Sequence, residues 1–300
     1  MALVSLIFAL QLSAVVPGER VTVRAEPGLE RQAARVAKLA AADLADDEAD
    51  VPDLPRLDRV EVRLVKHATD IAAAAPEGLG APDWAVGTAY PEHGVVVVAA
   101  RARNGDLLDV ERTLAHELAH MVLDHALGGA NVPRWLTEGF AYLHSSDFSL
   151  ARAATLTGAV IGGHVQPLWK LENAFPARED EAALAYAESY DFVAFLAQRG
   201  RWGFRDFLAE LAHGSGLDAA SRHSLGRRFV DVEAEWLESL RSRYLWTFVG
   251  LGGAAVWVLG AVLLVLGWLR RRRQKRRKLE EWAIEEDETT PTGVPPAPSR

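Results

Sequence analysis

Two histidines four residues apart, His116 and His120, enclose Glu117 within an otherwise apolar segment. In an α-helix, residues four apart lie on the same face, so both imidazoles can reach one metal ion. Glu117 is rotated by about 100° from His116, which makes it a poor ligand but lets it reach a metal-bound water as a general base. Because the chain contains no cysteine, histidines and carboxylates are its only strong metal ligands. The pattern predicts a hydrolytic metal site on a helix.

A further carboxylate, Glu138, follows His120 by eighteen positions within the segment Trp135–Ala141. The pair Gly128-Gly129 predicts a turn that folds this segment back as an antiparallel helix, which would bring Glu138 beside the two imidazoles. Two histidines, one glutamate and an open position form the coordination set of a catalytic zinc site, whereas four protein ligands close a structural one. We therefore predict Zn²⁺ bound by His116, His120 and Glu138.

The segment His116–His120 followed by Trp135–Ala141 resembles the gluzincin superfamily of metallopeptidases. Within it, the compact bacterial peptidase MA-like domains are also similar in having a strand hairpin before the zinc helix, as residues 87–98 indicate here. Thr137 departs from the pattern of gluzincin aminopeptidases, which usually have Asn there, and the spacer between the two blocks is slightly shorter than theirs. The resemblance covers roughly Val60–Arg201 and implies zinc-dependent hydrolysis of a peptide or protein substrate.

The resemblance also implies a tyrosine that stabilises the oxyanion of the tetrahedral intermediate. Tyr186 and Tyr190 are four residues apart and share one face of a predicted helix, Asp180–Arg199. Tyr186 matches the family pattern better, and Tyr190 is the second choice. The alternative for both tyrosines is packing of an amphipathic side chain within the helical part of the fold.

Other polar side chains are predicted to take no direct part in the chemistry. His125, near the end of the zinc helix, suits a capping role. Asp109, Glu111 and Asp124 are predicted on a solvated helix face, although any of them could orient a ligand imidazole. The remaining histidines are isolated in the sequence and are predicted at the surface: His67, His93, His144, His164, His213 and His223.

The order of the predicted strands and helices indicates an α+β fold. A small mixed β-sheet lobe (18–104) precedes a helical lobe (105–244), and the zinc site lies between them. The segment Asn104–Asp106 is predicted to cap the zinc helix. The family layout makes Val95–Ala100 an edge strand over the cleft, to which an extended substrate could add. The predicted strands are Val60–Val65, Trp84–Tyr90 and Val95–Ala100, and the predicted helices are Gly28–Asp46, Leu107–Leu127, Val132–Ser145, Asp180–Arg199, Phe204–His213 and Val230–Arg243.

Two apolar terminal segments predict a membrane-anchored protein. Residues 1–17 are predicted to be a signal peptide, with an uncleaved membrane-associated segment as the alternative. Residues 245–269 carry no charge and predict a transmembrane helix. Eight Lys and Arg residues follow within 270–278 and predict a cytoplasmic tail, 270–300, that is disordered. Domain 18–244 would then be extracytoplasmic on a single-pass protein of the cell membrane.

The formal net charge of −8 includes those eight basic residues, so the rest of the chain is more strongly acidic. An acidic body argues against nucleic acid as a partner. No Gly-x-Met-Glu-Asn-like segment precedes the zinc helix to hold a free α-amine, which favours an endopeptidase over an aminopeptidase. The alternative is a catalytically weak, membrane-tethered zinc-binding sensor or protein-interaction domain on a peptidase fold, and the intact Glu117 argues against it.

Overall fold

The structure is a computed structural model that describes residues 12–51, 54–145, 150–198 and 201–289, without the side chains of 150, 201, 245–256 and 273–289. The chain divides into two compact units, Met1–Tyr244 and Leu245–Arg300. The first unit contains the sheet and the helices that surround the predicted site. Its strands precede most of its helices, which confirms the predicted α+β class.

A five-stranded mixed sheet forms the N-terminal part of the first unit, with the strand order β1-β2-β3-β5-β4. The three inner strands pair in parallel, and the two outer strands run antiparallel to their neighbours. The strands are β1 (Ala14–Val16), β2 (Val21–Ala25), β3 (Val60–His67), β4 (Gly87–Tyr90) and β5 (Val95–Arg101).

The predicted edge strand is not at the edge. Strand β5 pairs with β3 on one side and β4 on the other, so Val95–Ala100 is buried on both faces. An unbroken apolar run is typical of such an inner strand, whereas an edge strand facing solvent usually alternates apolar and polar residues. On this side of the sheet the edge strand is β4, which begins at Gly87 rather than at the predicted Trp84.

Helices account for most of the chain after the sheet, and two of them were not predicted, at 150–162 and 217–225. The helices at 110–126, 134–144, 179–198 and 201–212 lie within a few residues of their predicted bounds. The last helix was predicted to end at Arg243 but continues to Thr289, so residues 270–289 of the tail predicted to be disordered are helical. The helices are α1 (Glu30–Ala49), α2 (Ile71–Ala74), α3 (Val110–Ala126), α4 (Arg134–His144), α5 (Leu150–Gly162), α6 (Glu179–Gln198), α7 (Arg201–Ala212), α8 (Leu217–Leu225) and α9 (Phe229–Thr289).

The zinc helix α3 begins later than predicted and has a different cap. The carboxylate of Asp109 accepts a hydrogen bond from the backbone N–H of Arg112 and caps the helix. The predicted cap, Asn104–Asp106, instead forms a turn that leads the chain back along β5, where the N–H of Leu108 donates to the carbonyl of Ala100 at 3.1 Å. The chain therefore stays bonded to the sheet until just before the helix begins.

Helices α4 and α6 approach each other closely in the helical part. A Cβ atom at Gly139 would lie 2.3 Å from the carbonyl oxygen of Ser189, so only glycine permits this contact. Around it, the indole of Trp135 packs edge-on against Phe192 with ring centroids 5.0 Å apart, and Phe192 packs against Trp236 of α9 at 5.2 Å. These aromatic contacts fix α4 and α6 side by side.

His144, predicted at the surface, is instead largely buried where the last turns of α1 and α4 meet. Its Nδ1 lies 3.0 Å from Oδ1 of Asp47, and its Nε2 lies 3.3 Å from Oδ2 of Asp50. The two carboxylates raise the pKa of His144 to about 9, although burial opposes them. We call Asp47, His144 and Asp50 the His144 clamp. The prediction was wrong because both partners come from a distant part of the chain.

The structure describes only part of the predicted signal peptide and of the predicted transmembrane helix. Residues 14–16 of the predicted signal peptide form the edge strand β1, and residues 1–11 lie outside the described part of the chain. Among the described residues, none of the helices combines the length and the apolar character needed to cross a membrane. This finding does not support the predicted span 245–269, of which the side chains of 245–256 are outside the described residues.

Candidate metal centre

Helices α3 and α4 bring the three predicted ligands to one point. The Nε2 atoms of His116 and His120 lie 3.2 Å apart, and Oε2 of Glu138 lies 3.7 Å from each of them. Among the described residues, these three form a cluster whose ligand atoms all lie within 4.8 Å of one another. The turn at 127–130 reverses the chain between the two helices, as predicted, and so places the carboxylate opposite the imidazoles.

The donor atoms fit a zinc ion in chemistry and protonation. Burial lowers the pKa of His116 to about 4, helped by the charge of Arg152, and burial lowers the pKa of His120 to about 3. Both imidazoles are therefore neutral at neutral pH, which is the form that binds metal. Two imidazole nitrogens and one carboxylate oxygen that converge on one point match a catalytic zinc site.

Glu117 lies beside this cluster, between α3 and the edge strand β4. Burial and the charge of Glu138 raise its pKa to about 8, while hydrogen bonding from the backbone of Ala89 lowers it. A Cβ atom at Gly87 would lie 2.7 Å from Cγ2 of Thr113 and 3.0 Å from the Glu117 carboxylate. The edge strand therefore lies directly against the predicted general base, and a glycine permits this approach.

The cluster opens into a cleft of about 730 Å³, walled by β4 on one side and by α3 and α4 on the other. The indole of Trp84 lines the cleft with 73% of its surface exposed. Tyr186 also lines it, and burial together with the charge of Glu138 raises the pKa of its phenol. Tyr190 is not among the residues that line the cleft, and its ring lies 5.6 Å from the guanidinium of Arg152. Of the two predicted tyrosines, the structure brings only Tyr186 to the cluster.

Three residues near the cluster were not singled out from the sequence. The ring of Tyr142 packs edge-on against His116 with centroids 4.6 Å apart, and Arg152 lies 4.3 Å above that ring. Arg134 pairs with Glu138, with 3.4 Å between Nε and Oε1. Only Arg134 had a sequence signal, because it precedes Glu138 by four residues on a predicted helix.

The three acidic residues predicted on a solvated face of α3 have three different environments, and Asp109 and Asp124 are exposed. Asp109 caps the helix and Glu111 pairs with Arg35 of α1. Asp124 lines the cleft, where burial raises the pKa of its carboxyl. Near the helix end, Nε2 of His125 lies 3.0 Å from the carbonyl oxygen of Arg56. The surface prediction is confirmed for the exposed His67, His93, His164, His213 and His223.

A match to a protein-family model supports a peptidase fold. The model of a family described as the Peptidase MA superfamily matches residues 58–242. No curated protein is similar enough to count as a match. Among solved structures, a mutant two-domain M1 zinc metallopeptidase bound to L-arginine has a TM-score of 0.43 and 17% identity, over 76% of this chain and 50% of its own. A mutant M1 zinc metallopeptidase from Deinococcus radiodurans has a TM-score of 0.42 and 16% identity, over 75% and 51% respectively. The chain thus spans about half the length of these structures.

Proposed function

This chain belongs to the Peptidase MA superfamily, and from that premise we propose that it is a zinc-dependent peptidase that hydrolyses peptide bonds within proteins. The observation that carries the proposal is the convergence of His116, His120 and Glu138 with a further carboxylate, Glu117, at their side. Two imidazoles and a carboxylate hold a metal, and the adjacent carboxylate supplies the base that hydrolysis requires.

In the proposed reaction, His116, His120 and Glu138 would hold a zinc ion, which would act as the Lewis acid for the water and the peptide carbonyl. Glu117 takes the proton of the attacking water onto its carboxylate. It then gives that proton to the leaving amine, so one residue serves in turn as base and acid. Its place against β4 fits this role, because a substrate lying along the edge strand would pass directly over it.

We assign stabilisation of the oxyanion to the hydroxyl of Tyr186. Its position in the cleft beside Glu138 supports this role, because a preorganised donor there would face the charge that develops on the substrate carbonyl. Tyr190 stays the second choice, since it is not among the residues that line the cleft.

The membrane anchor remains part of the proposal. It rests on the uncharged stretch 245–269 followed by the basic run 270–278, which together favour a single span with the tail in the cytoplasm. The domain 18–244 would then act on extracytoplasmic proteins.

The choice of an endopeptidase over an aminopeptidase rests on the sequence, which has no Gly-x-Met-Glu-Asn-like segment before the zinc helix to hold a substrate α-amine.

The test replaces Glu117 with Gln in the full chain. We expect Glu117→Gln to bind one zinc ion as the wild type does and to lose hydrolysis of an unfolded protein substrate by about 10²–10⁴-fold, because general base catalysis is removed. Glu111→Gln is the matched control, since Glu111 lies in the first turn of the same helix and pairs with Arg35 away from the cleft.

Equal hydrolysis by wild type and Glu117→Gln would rule out the proposed enzyme. Stoichiometric zinc without any hydrolysis in the wild type would favour the sensor or interaction domain instead. Mass-spectrometric comparison of membrane and secreted proteins from cells that express either form would then identify the cleaved proteins.

A further inference from the structure

Arg134 lies directly behind the third metal ligand. It is the first residue of α4, and its backbone N–H donates to the carbonyl oxygen of Glu172 at 2.7 Å. Glu138 follows one turn later on the same helix face, so the side chains of both residues lie side by side. Nε of Arg134 is 3.4 Å from Oε1 of Glu138.

The two oxygens of Glu138 therefore face different partners. Oε2 points toward the imidazoles of His116 and His120, and Oε1 points toward the guanidinium of Arg134. The terminal torsion of a glutamate is broad, so a carboxylate with no second contact samples many orientations. A contact on the far oxygen restricts that torsion to orientations in which the near oxygen faces the metal centre.

The same guanidinium acts on Tyr186. Hydrogen bonding and the charge of Arg134 lower the pKa of the Tyr186 phenol, against the larger effect of burial. The ring of Phe175 lies 5.0 Å from the guanidinium carbon of Arg134 and 4.8 Å from the ring of Tyr186. Phe175, in the segment between α5 and α6, thus packs against Arg134 and restricts a side chain that is otherwise costly to order.

We propose that Arg134 is a positioning residue that orients Glu138 toward the metal and holds the Tyr186 hydroxyl in the cleft. The inference rests on the proposed zinc site. Two effects of Arg134 on zinc binding have opposite signs. Its positive charge repels a metal cation, so charge alone would make zinc bind more tightly once Arg134 is removed. Its contact with Oε1 orients the ligand, so loss of that contact would make zinc bind more weakly.

The experiment measures zinc affinity of the full chain by competition with a chromophoric chelator, for wild type, Arg134→Met and Arg134→Lys. We expect Arg134→Met to weaken zinc binding by about 10–100-fold, which is usual for loss of a partner behind a metal ligand. Arg134→Lys should fall between Arg134→Met and wild type, because lysine retains the charge but lacks the planar fork. Arg222→Met is the matched control, since Arg222 pairs with Asp218 one helical turn away at 2.8 Å on α8.

Unchanged or tighter zinc binding in Arg134→Met would overturn the inference. Should that variant fail to fold, Arg134→Lys decides alone, because an affinity equal to wild type would show that only the charge matters. A second readout is a double-mutant cycle on kcat with Tyr186→Phe, in which additive losses would contradict the contact with Tyr186. A wild type that binds zinc without hydrolysing protein would refute the proposed function and leave the affinity test of Arg134 intact.

Discussion

Helix α4 contributes to two buried clusters of histidine and carboxylate that differ in the charge of the histidine. In the metal centre, the pKa of His116 is lowered to about 4 and that of His120 to about 3. In the His144 clamp, the pKa of His144 is raised to about 9. Burial favours a neutral imidazole in all three cases, so burial does not explain the difference.

The charges around each imidazole do explain it. Arg152 lowers the pKa of His116 and Arg134 that of His120, whereas two carboxylates raise the pKa of His144. The metal centre sets one carboxylate, itself paired with Arg134, against two imidazoles. The clamp sets Asp47 and Asp50 against the two ring nitrogens of His144. The imidazoles of the first cluster are neutral and can bind a cation, whereas the second cluster contains its own cation. A histidine beside a carboxylate therefore indicates a metal site only when its imidazole is neutral, because a protonated imidazole has no free nitrogen to bind a metal.

Removing one histidine from each cluster should give opposite responses to zinc. We expect His120→Ala to lose stoichiometric zinc, and with it the stabilisation of about 4 kcal/mol that a ligand at about 1,000 times its Kd provides. His144→Ala should still bind zinc, and zinc should still raise its thermal midpoint. Equal loss of zinc in both variants, by elemental analysis and calorimetry, would show that the clamp belongs to the metal site.

The second prediction concerns the clamp as an ion pair. Replacing His144 by Ala leaves Asp47 buried without its cation, so we expect the free energy of unfolding to fall by about 3 kcal/mol. His223→Ala is the control, because this exposed histidine also lies in the last turn of a helix, 3.7 Å from Glu210. Denaturant unfolding followed by tryptophan fluorescence measures both. A loss below about 0.5 kcal/mol in His144→Ala would mean that the clamp adds nothing to stability.

The charge of His144 should also make the stability of the protein depend on pH. Because folding raises the pKa of His144 from 6.5 to about 9, its stabilisation is complete below pH 6.5 and is lost as the pH rises through about 9. Between pH 7 and pH 10, we expect the stability difference between wild type and His144→Ala to shrink by about 2 kcal/mol. Parallel curves for the two proteins across this range would contradict a charged His144 in the folded state.

Some features of the metal centre depend on residues that are close in the sequence, and others depend on distant segments. The spacing of His116 and His120 follows from the period of one helix, so the sequence predicted their common face and the sideways position of Glu117. Glu138 required only one further step, a short turn between neighbouring helices. Arg134 also carried a local signal, but its contacts with Phe175 and Tyr186 depend on segments that follow much later in the chain.

The α+β class, most helices and the convergence of three candidate metal ligands could be predicted from the sequence, because these depend on periodicity and on short connections. Three features could not: β4 forms the edge against Glu117, Tyr186 rather than Tyr190 reaches the cleft, and His144 lies between two aspartates. Each of these depends on which distant segments pack together. The arrangement of distant segments depends on all the contacts of the core together, so a local pattern of residues does not predict it.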